Sequence, residues 1–227
     1  MNAATGSSQS VELNSDSTLT ETAYYQILHK IITGELPAGT ELKSTRLARE
    51  LDLSRTPILQ ALSRLLHDGI VTQEKNHRAT VVPGAERWLM DIHELRILLE
   101  PPATEKAARR LTEEQLTELR QLANAADSSN SNNWKDAANR FDYQLHITIA
   151  EACGNLPLRE SLRKCMSFKL LTYSYSSDAP EILQREYHEH LEILSALEQK
   201  LPDTAAAAMK YHLLSSTRYL KTNTRFI

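Results

Sequence analysis

The chain contains few of the residues that break helices, form crosslinks or build aromatic cores. Its 227 residues include 6 glycines, 8 prolines and 2 cysteines, and aromatic residues make up only 6%. Because helices tolerate glycine and proline least, their scarcity favours a mainly helical fold. Two distant cysteines do not indicate a disulfide framework, and we interpret Cys153 and Cys165 as reduced thiols of the core.

Segments that direct proteins out of the cytoplasm are also missing. No apolar run approaches the length of a membrane span, and the N-terminus lacks the charged and apolar blocks of a signal peptide. We therefore expect a cytoplasmic protein that does not contact a membrane. Residues 1–17 are small and polar without apolar periodicity, which predicts a disordered tail.

The net charge of the whole chain excludes a basic protein that binds nucleic acids regardless of sequence, but it is compatible with a local basic surface. The chain has a net charge of −3, yet residues 43–64 contain five basic residues against two acidic ones. A basic stripe on a nearly neutral body is typical of proteins that bind particular DNA sequences.

Residues 18–84 predict a winged helix-turn-helix. Apolar residues at helical spacing are followed by two β-prone segments around a polar tip. The predicted elements are helices 20–33, 45–51 and 55–67 and strands 70–73 and 79–82. Ser54 is expected to be the N-cap of the third helix.

The third helix has the composition of a DNA-recognition helix. Its apolar positions, at i, i+3, i+4 and i+7, must face the core; they are Ile58, Ala61, Leu62 and Leu65. Arg55, Thr56, Gln60 and Ser63 are left on the outer side. These residue types form hydrogen bonds with phosphates and base edges, so this face is the predicted DNA contact.

Residues 85–227 contain only helical patterns. Six segments joined by short loops predict an antiparallel six-helix bundle, so the fold class is mainly α. Thr112 and Gln115 have capping-box spacing, and Asp203 is expected to cap the sixth helix. The pair Pro101-Pro102 is expected to kink or break the first helix.

Two groups of motifs resemble one family of bacterial regulators. Within residues 34–71, GELPAGTEL, LARELDLSRTPILQAL and LHDGIV resemble the winged-helix domain of GntR transcription regulators. Within residues 93–197, HELRILLE, FDYQLH, CGN and EHLEILSAL resemble the FCD ligand-binding domain of the FadR branch. A bundle of six helices, rather than seven, resembles the VanR-like subgroup of that branch. The resemblance implies a homodimer that places two winged helices on near-palindromic operator DNA.

The resemblance, with the outer face of the third helix, indicates the residues that contact DNA: Ser44, Arg46, Ser54, Arg55, Thr56, Gln60, Asn76 and His77. This chain departs from the family pattern at three of its positions. Leu59 and Gln60 replace the usual arginine and glutamate, and Asn76 replaces a glycine of the wing. Because glutamine can pair with an adenine edge, the operator sequence is expected to differ from that of relatives.

A second candidate site lies in the bundle. Asp142 and His146 are four residues apart on one predicted helix, so both project from one face. His190 and His212 fall on the apolar faces of two other helices, and the resemblance makes all four metal ligands. One carboxylate and three imidazoles suit Zn²⁺, Ni²⁺, Mn²⁺ or Fe²⁺, with one or two positions left for water or ligand. The competing His188 is expected to point away.

Arg96 has two interpretations. The resemblance makes it the anchor of an organic carboxylate, which a guanidinium can bind bidentately. The alternative is a salt bridge to Glu100 at i+4, worth only about 0.3–0.5 kcal/mol if exposed.

Three functions are compatible with these features. The favoured one is a metabolite-responsive transcription regulator, a repressor that a small organic carboxylate releases by binding beside the metal. A metal-dependent enzyme would use the open metal position to activate water, but a winged helix has no role in hydrolysis and no clear general base is present. In the third, the bundle serves only for dimerisation and its histidines are structural. The winged helix favours the first, non-enzymatic function.

Overall fold

The computed structural model describes residues 19–75, 77–129, 133–175 and 180–222, so the predicted tail and Asn76 lie outside the described residues. Within those ranges the chain forms nine α-helices, one 3-10 helix and three short strands. The predicted mainly α fold is confirmed. Among the helices of the described ranges, none combines the length and the hydropathy that a membrane span requires.

Residues 19–84 form the winged helix. Its elements are α1 (Leu19–Ile32), β1 (Glu41–Leu42), α2 (Ser44–Glu50), α3 (Arg55–His67), β2 (Val71–Thr72) and β3 (Ala79–Val81). β3 lies between β1 and β2 and pairs antiparallel with both. The predicted hairpin is present as β2 and β3. The sequence pattern does not predict β1, because a strand of two residues leaves no alternating pattern.

The core of the winged helix forms where α1 packs on α3. The four predicted core positions of α3 are buried: Ile58, Ala61, Leu62 and Leu65. Ser54 occupies the predicted N-cap position in an extended conformation, but its side chain makes no capping hydrogen bond. With α1 on one side, the opposite side of α3 faces outward.

Six further helices form the bundle. They are α4 (Trp88–Ala108), α5 (Glu113–Ala125), α6 (Trp134–Ala152), α7 (Leu156–Tyr175), α8 (Pro180–Glu198) and α9 (Pro202–Thr222). A 3-10 turn, Ala85–Arg87, precedes α4, which contacts α6, α7, α8 and α9. The predicted number of helices is confirmed, with α4 at the centre of their contacts.

Of the predicted kink or break at the proline pair the break is excluded, and the predicted N-cap of α9 is wrong. Pro101 and Pro102 lie inside a single helix, so α4 is not broken there. Its contacts with four other helices offset the backbone hydrogen bonds that proline cannot make. Asp203 lies in the first turn of α9, which begins one residue earlier, so it is not the N-cap. The capping box is confirmed, because the backbone nitrogen of Gln115 donates to Thr112 Oγ1 at 3.2 Å and the reciprocal bond is present.

Two helices of the bundle, α4 and α7, contact the core of the winged helix, and α4 does so through Trp88, Leu89 and Ile92. Phe168 is buried in the apolar core of the winged helix, with ring centroids 5.6 Å from Trp88 and 6.3 Å from Tyr24. One turn earlier, Lys164 Nζ lies 2.7 Å from Asp68 Oδ1, and the Tyr24 hydroxyl donates to Asp68 Oδ2 at 2.6 Å. Because Asp68 is the C-cap of α3, α7 is tied to the end of the predicted recognition helix.

Candidate metal centre and DNA-facing surface

Four possible metal ligands from three helices meet inside the bundle. α6 supplies Asp142 and His146, α8 supplies His190, and α9 supplies His212. All four side chains are buried, and one donor atom of each lies within 4.8 Å of the others. The structure therefore brings together the complete predicted set.

The distances between these donors suit a single metal ion. Asp142 Oδ1 lies 3.1 Å from His146 Nε2 and 3.0 Å from His190 Nε2. His190 Nε2 lies 3.1 Å from His212 Nε2. Two donors that are each ~2.1 Å from one ion stand about 3.0 Å apart at right angles and about 3.4 Å apart at the tetrahedral angle. The residues present therefore fit a divalent transition metal.

Two buried glutamates hold the histidines from outside this set. Glu100 of α4 contacts His146 Nδ1, and Glu189 Oε2 of α8 lies 2.9 Å from His212 Nδ1. Because each contact occupies one ring nitrogen, the Nε2 atom of both rings faces the other donors. Sequence reasoning missed this role of the glutamates. Their only signal was a position within four residues of a predicted site residue.

Arg96 is buried beside the candidate metal centre. Its Nε donates to Glu100 Oε1 at 2.5 Å, so the i+4 salt bridge is present, in the interior rather than at the surface. Burial opposes ionisation of Glu100. The Arg96 guanidinium and the His146 ring more than offset it and hold the pKa of that carboxyl below its usual range. Arg96 thus meets His146 both through this carboxylate and through its Nη2 atom, which lies 3.4 Å from His146 Nδ1.

The neighbouring histidines of α8 have different environments. His190 is 1% exposed and contacts Asp142 and His212. His188 is exposed, and its Nδ1 lies 2.6 Å from the carbonyl oxygen of Gln184 in its own helix. The structure therefore places His188 outside the donor set.

The residues predicted to contact DNA lie on the outer side of the winged helix. Ser54, Arg55, Thr56 and Gln60 are exposed at the start of α3 and along its outer side, and Arg46 is exposed on α2. A cleft of about 410 Å³ separates α3 from the wing, and both Ser44 and His77 line it. The described residues of the predicted set are thus available to a duplex that approaches from this side.

Family models match both parts of the chain. Residues 19–82 match the model described as bacterial regulatory proteins, gntR family, and residues 91–215 match the FCD domain. The first match covers the winged helix, and the second covers most of the bundle and all four candidate metal ligands.

Relatives of the chain are transcriptional regulators. The HTH-type transcriptional regulator Rv0043c of Mycobacterium tuberculosis is 34% identical over 188 residues, which is 80% of this chain and 72% of that protein. The gluconate operon transcriptional repressor of Bacillus licheniformis is 30% identical over 150 residues, covering 63% of this chain and 60% of that protein.

A solved structure shares the fold. McbR/YncC of E. coli matches with a TM-score of 0.63 and 22% identity, over 91% of this chain and 98% of that one. The order of winged helix and helical bundle is therefore an established architecture. With both family models matched, the chain belongs to the GntR family of bacterial regulatory proteins and is a DNA-binding transcriptional regulator with an FCD ligand-binding domain.

Proposed function

We propose that this regulator is a repressor that a small organic carboxylate releases from its operator, with a divalent transition metal held by Asp142, His146, His190 and His212. The meeting of these four buried donors is the observation that supports the proposal most directly. A cluster of this kind is costly to bury unless its members are paired or bound to a metal. Zn²⁺, Ni²⁺, Mn²⁺ and Fe²⁺ all suit the donor set.

Arg96 is the proposed anchor of the acid. Its guanidinium is buried beside the donor set, with Nε directed at Glu100 and an Nη2 atom 3.4 Å from His146 Nδ1. The metal, when bound, supplies a Lewis-acidic position for one carboxylate oxygen of the ligand. Arg96 supplies charge-assisted hydrogen bonds to another oxygen, which favours acids with two or more oxygens within a few ångströms.

Two connections lead from this site to the DNA-binding surface. α4, which contains Arg96 and Glu100, follows the wing through the 3-10 turn Ala85–Arg87. α7 contacts α4 and α6, and meets the winged helix through Lys164 and Phe168. An acid that binds one arrangement of these helices better than another shifts the population between them, and thereby the positions of the winged helices.

The proposed assembly is a homodimer. Leu98 is 71% exposed and Leu95 is 38% exposed, and Pro102 lies with them on the outer side of α4. An apolar stripe of this kind suits burial against a second copy. Two copies would place two α3 helices on operator half-sites that are about one DNA turn apart.

The proposal assigns residues 18–84 to DNA binding and residues 85–227 to effector binding and dimerisation, without catalysis. The relatives named above are regulators, which supports a non-enzymatic bundle. The two remaining alternatives make different predictions. A bundle used only for dimerisation holds no metal and does not respond to acids, and an enzyme converts the acid that it binds.

Metal analysis and thermal unfolding test the proposal. The full chain, purified without metal-affinity chromatography, is expected to contain about one ion per chain. His190→Ala should lose the ion, and the matched control His188→Ala, whose side chain is exposed and turned away, should keep it. An acid at 100 times its dissociation constant should stabilise the metal-loaded protein by about 2.7 kcal/mol, and a chelator should abolish this effect.

The possible outcomes separate the three functions. Wild-type protein without metal and without a response to any acid would contradict the proposal and support a dimerisation bundle. Loss of the stabilising acid from solution during incubation would support an enzyme. Weakened operator binding in the presence of the acid would support the repressor.

A further inference from the structure

The outer side of α3 exposes a leucine among polar residues. Leu59 is 50% exposed, and it lies one turn after Arg55 and Thr56 and one turn before Ser63. The buried side of α3 is filled by other apolar residues, so Leu59 does not contribute to the core. It lines the cleft between α3 and the wing together with His77. This position is central in the surface predicted to meet DNA.

A leucine side chain can recognise a base only by apolar contact, because it has no hydrogen-bond donor or acceptor. In the major groove, base pairs present donors, acceptors and one apolar group, the 5-methyl of thymine. Any other base edge placed against Leu59 would lose hydrogen bonds to water without replacement. We propose that Leu59 contacts a thymine methyl group of the operator and selects thymine at that position. This inference rests on the proposed contact of α3 with DNA.

The neighbouring Gln60 does not provide the same selection. Its Oε1 accepts a hydrogen bond from Thr20 Oγ1 at 2.5 Å, which directs the amide oxygen toward α1. Bidentate recognition of adenine uses both the oxygen and the NH₂ group of an amide. Because this bond turns the oxygen toward α1, the amide cannot present both groups to one adenine unless the bond breaks. The NH₂ group alone does not discriminate, since acceptors are present on adenine, guanine and thymine alike. Gln60 in this orientation therefore does not duplicate the selection proposed for Leu59.

Replacing thymine by deoxyuridine tests the proposal, because it removes the methyl group and leaves every hydrogen-bonding group in place. The full chain is first used to select its operator from random duplex DNA, and each thymine is then replaced singly. One position per half-site should be sensitive, with a loss of about fourfold in affinity, the value expected for one buried methyl. Leu59→Ala should bind the thymine and uracil operators equally.

Two further variants complete the experiment. Leu156→Ala removes a leucine that is 61% exposed at the start of α7, and it should keep the wild-type ratio between the two operators. Leu59→Arg should select guanine in place of thymine, because arginine binds the O6 and N7 atoms of guanine. Both positions are exposed, so folding is expected to persist, and circular dichroism checks it.

The outcomes are distinguishable. An operator without a uracil-sensitive thymine overturns the proposal, and so does a Leu59→Ala variant with the full wild-type sensitivity. Failure of the wild-type chain to select any operator would instead contradict the assignment of α3 to DNA binding. Sensitivity lost only in the Leu59 variants supports the proposal.

Discussion

The bundle buries a group of charged side chains in its interior, whereas the winged helix carries its basic side chains at the surface. Apart from Tyr24 and the side chain of Asp68, which bond to each other in the winged helix, the buried polar and charged residues of the described part of the chain lie in the bundle: His93, Arg96, Glu100, Thr104, Asp142, His146, Thr148, Glu189, His190 and His212. The winged helix has an apolar interior, and its basic residues, such as Arg46 and Arg55, are exposed.

This contrast corresponds to two kinds of recognition. A duplex cannot enter a protein, so DNA contacts need charged groups at the surface. A small ligand or ion can be enclosed, and a dry interior strengthens each electrostatic contact, at the cost of desolvating the groups that make it. The two regions meet at the start of α4 and at α7, whose Phe168 lies in the core of the winged helix.

The largest effect is expected from removing that contact. Phe168→Ala should lower the free energy of unfolding by about 3–5 kcal/mol, because it leaves a cavity in a buried apolar cluster. Chemical denaturation measures the change. Leu156→Ala, an exposed substitution on the same helix, should stay within about 0.5 kcal/mol of wild type. A cost below about 1 kcal/mol for Phe168→Ala would show that the two regions do not depend on this contact.

Arg55→Ala tests the surface side of the comparison. It should lower operator affinity by about 100-fold, so that a mobility-shift assay shows no complex at concentrations sufficient for wild type, since a charge-assisted DNA contact is lost. Circular dichroism should be unchanged. Arg109→Ala, an exposed arginine of the bundle paired with Glu105, is the matched control and should bind normally. Intact binding by Arg55→Ala would remove this residue from the DNA contact.

Glu100→Gln tests the interior side. Metal affinity should fall by about 10–100-fold, because an amide is a weaker partner than a carboxylate for His146 Nδ1. Competition with a chelator measures the affinity. Glu105→Gln changes a more accessible glutamate of the same helix and should leave metal affinity at the wild-type value. Equal affinity in both variants would show that Glu100 does not orient His146.

The smallest effect is expected from removing the salt bridge between α7 and the end of α3. Lys164→Met should change the free energy of unfolding by less than about 1 kcal/mol, because Lys164 is partly exposed. The acid is expected to weaken operator binding by some factor, and Lys164→Met should make that factor about threefold smaller, because the bond to Asp68 links α7 to α3. Arg163→Met, which removes a salt bridge to Glu151 within the bundle, should keep the wild-type factor. An unchanged factor in Lys164→Met would exclude this bond from the coupling.

Local features of the fold were predictable because they depend on neighbouring residues. The apolar spacing of α3 predicted its buried side, and the spacing of Thr112 and Gln115 predicted their two hydrogen bonds. The sequence left open whether Pro101 and Pro102 break or only kink α4, because the contacts of α4 with other helices decide whether a helix continues through them. Such contacts are not visible in a short stretch of sequence.

The candidate site shows the same limit. Helical spacing places Asp142 and His146 on one face, but only the packing of α4 against α6 brings Glu100 to His146. The salt bridge of Arg96 was predictable from its i+4 spacing, whereas its burial was not. The connection through Phe168 was also hidden, because α7 and α1 are far apart in the chain.

The position of Glu100 between Arg96 and His146 has a consequence for the regulated gene. If Arg96 anchors the acid and His146 binds the metal, binding of the acid changes the contact between Glu100 and His146. Binding of the metal likewise changes the contact between Glu100 and Arg96. Linkage then requires that the factor by which the acid changes metal affinity equals the factor by which the metal changes acid affinity. The cell's supply of metal would then set the concentration of acid at which transcription begins, so that the promoter would respond to the two ligands jointly.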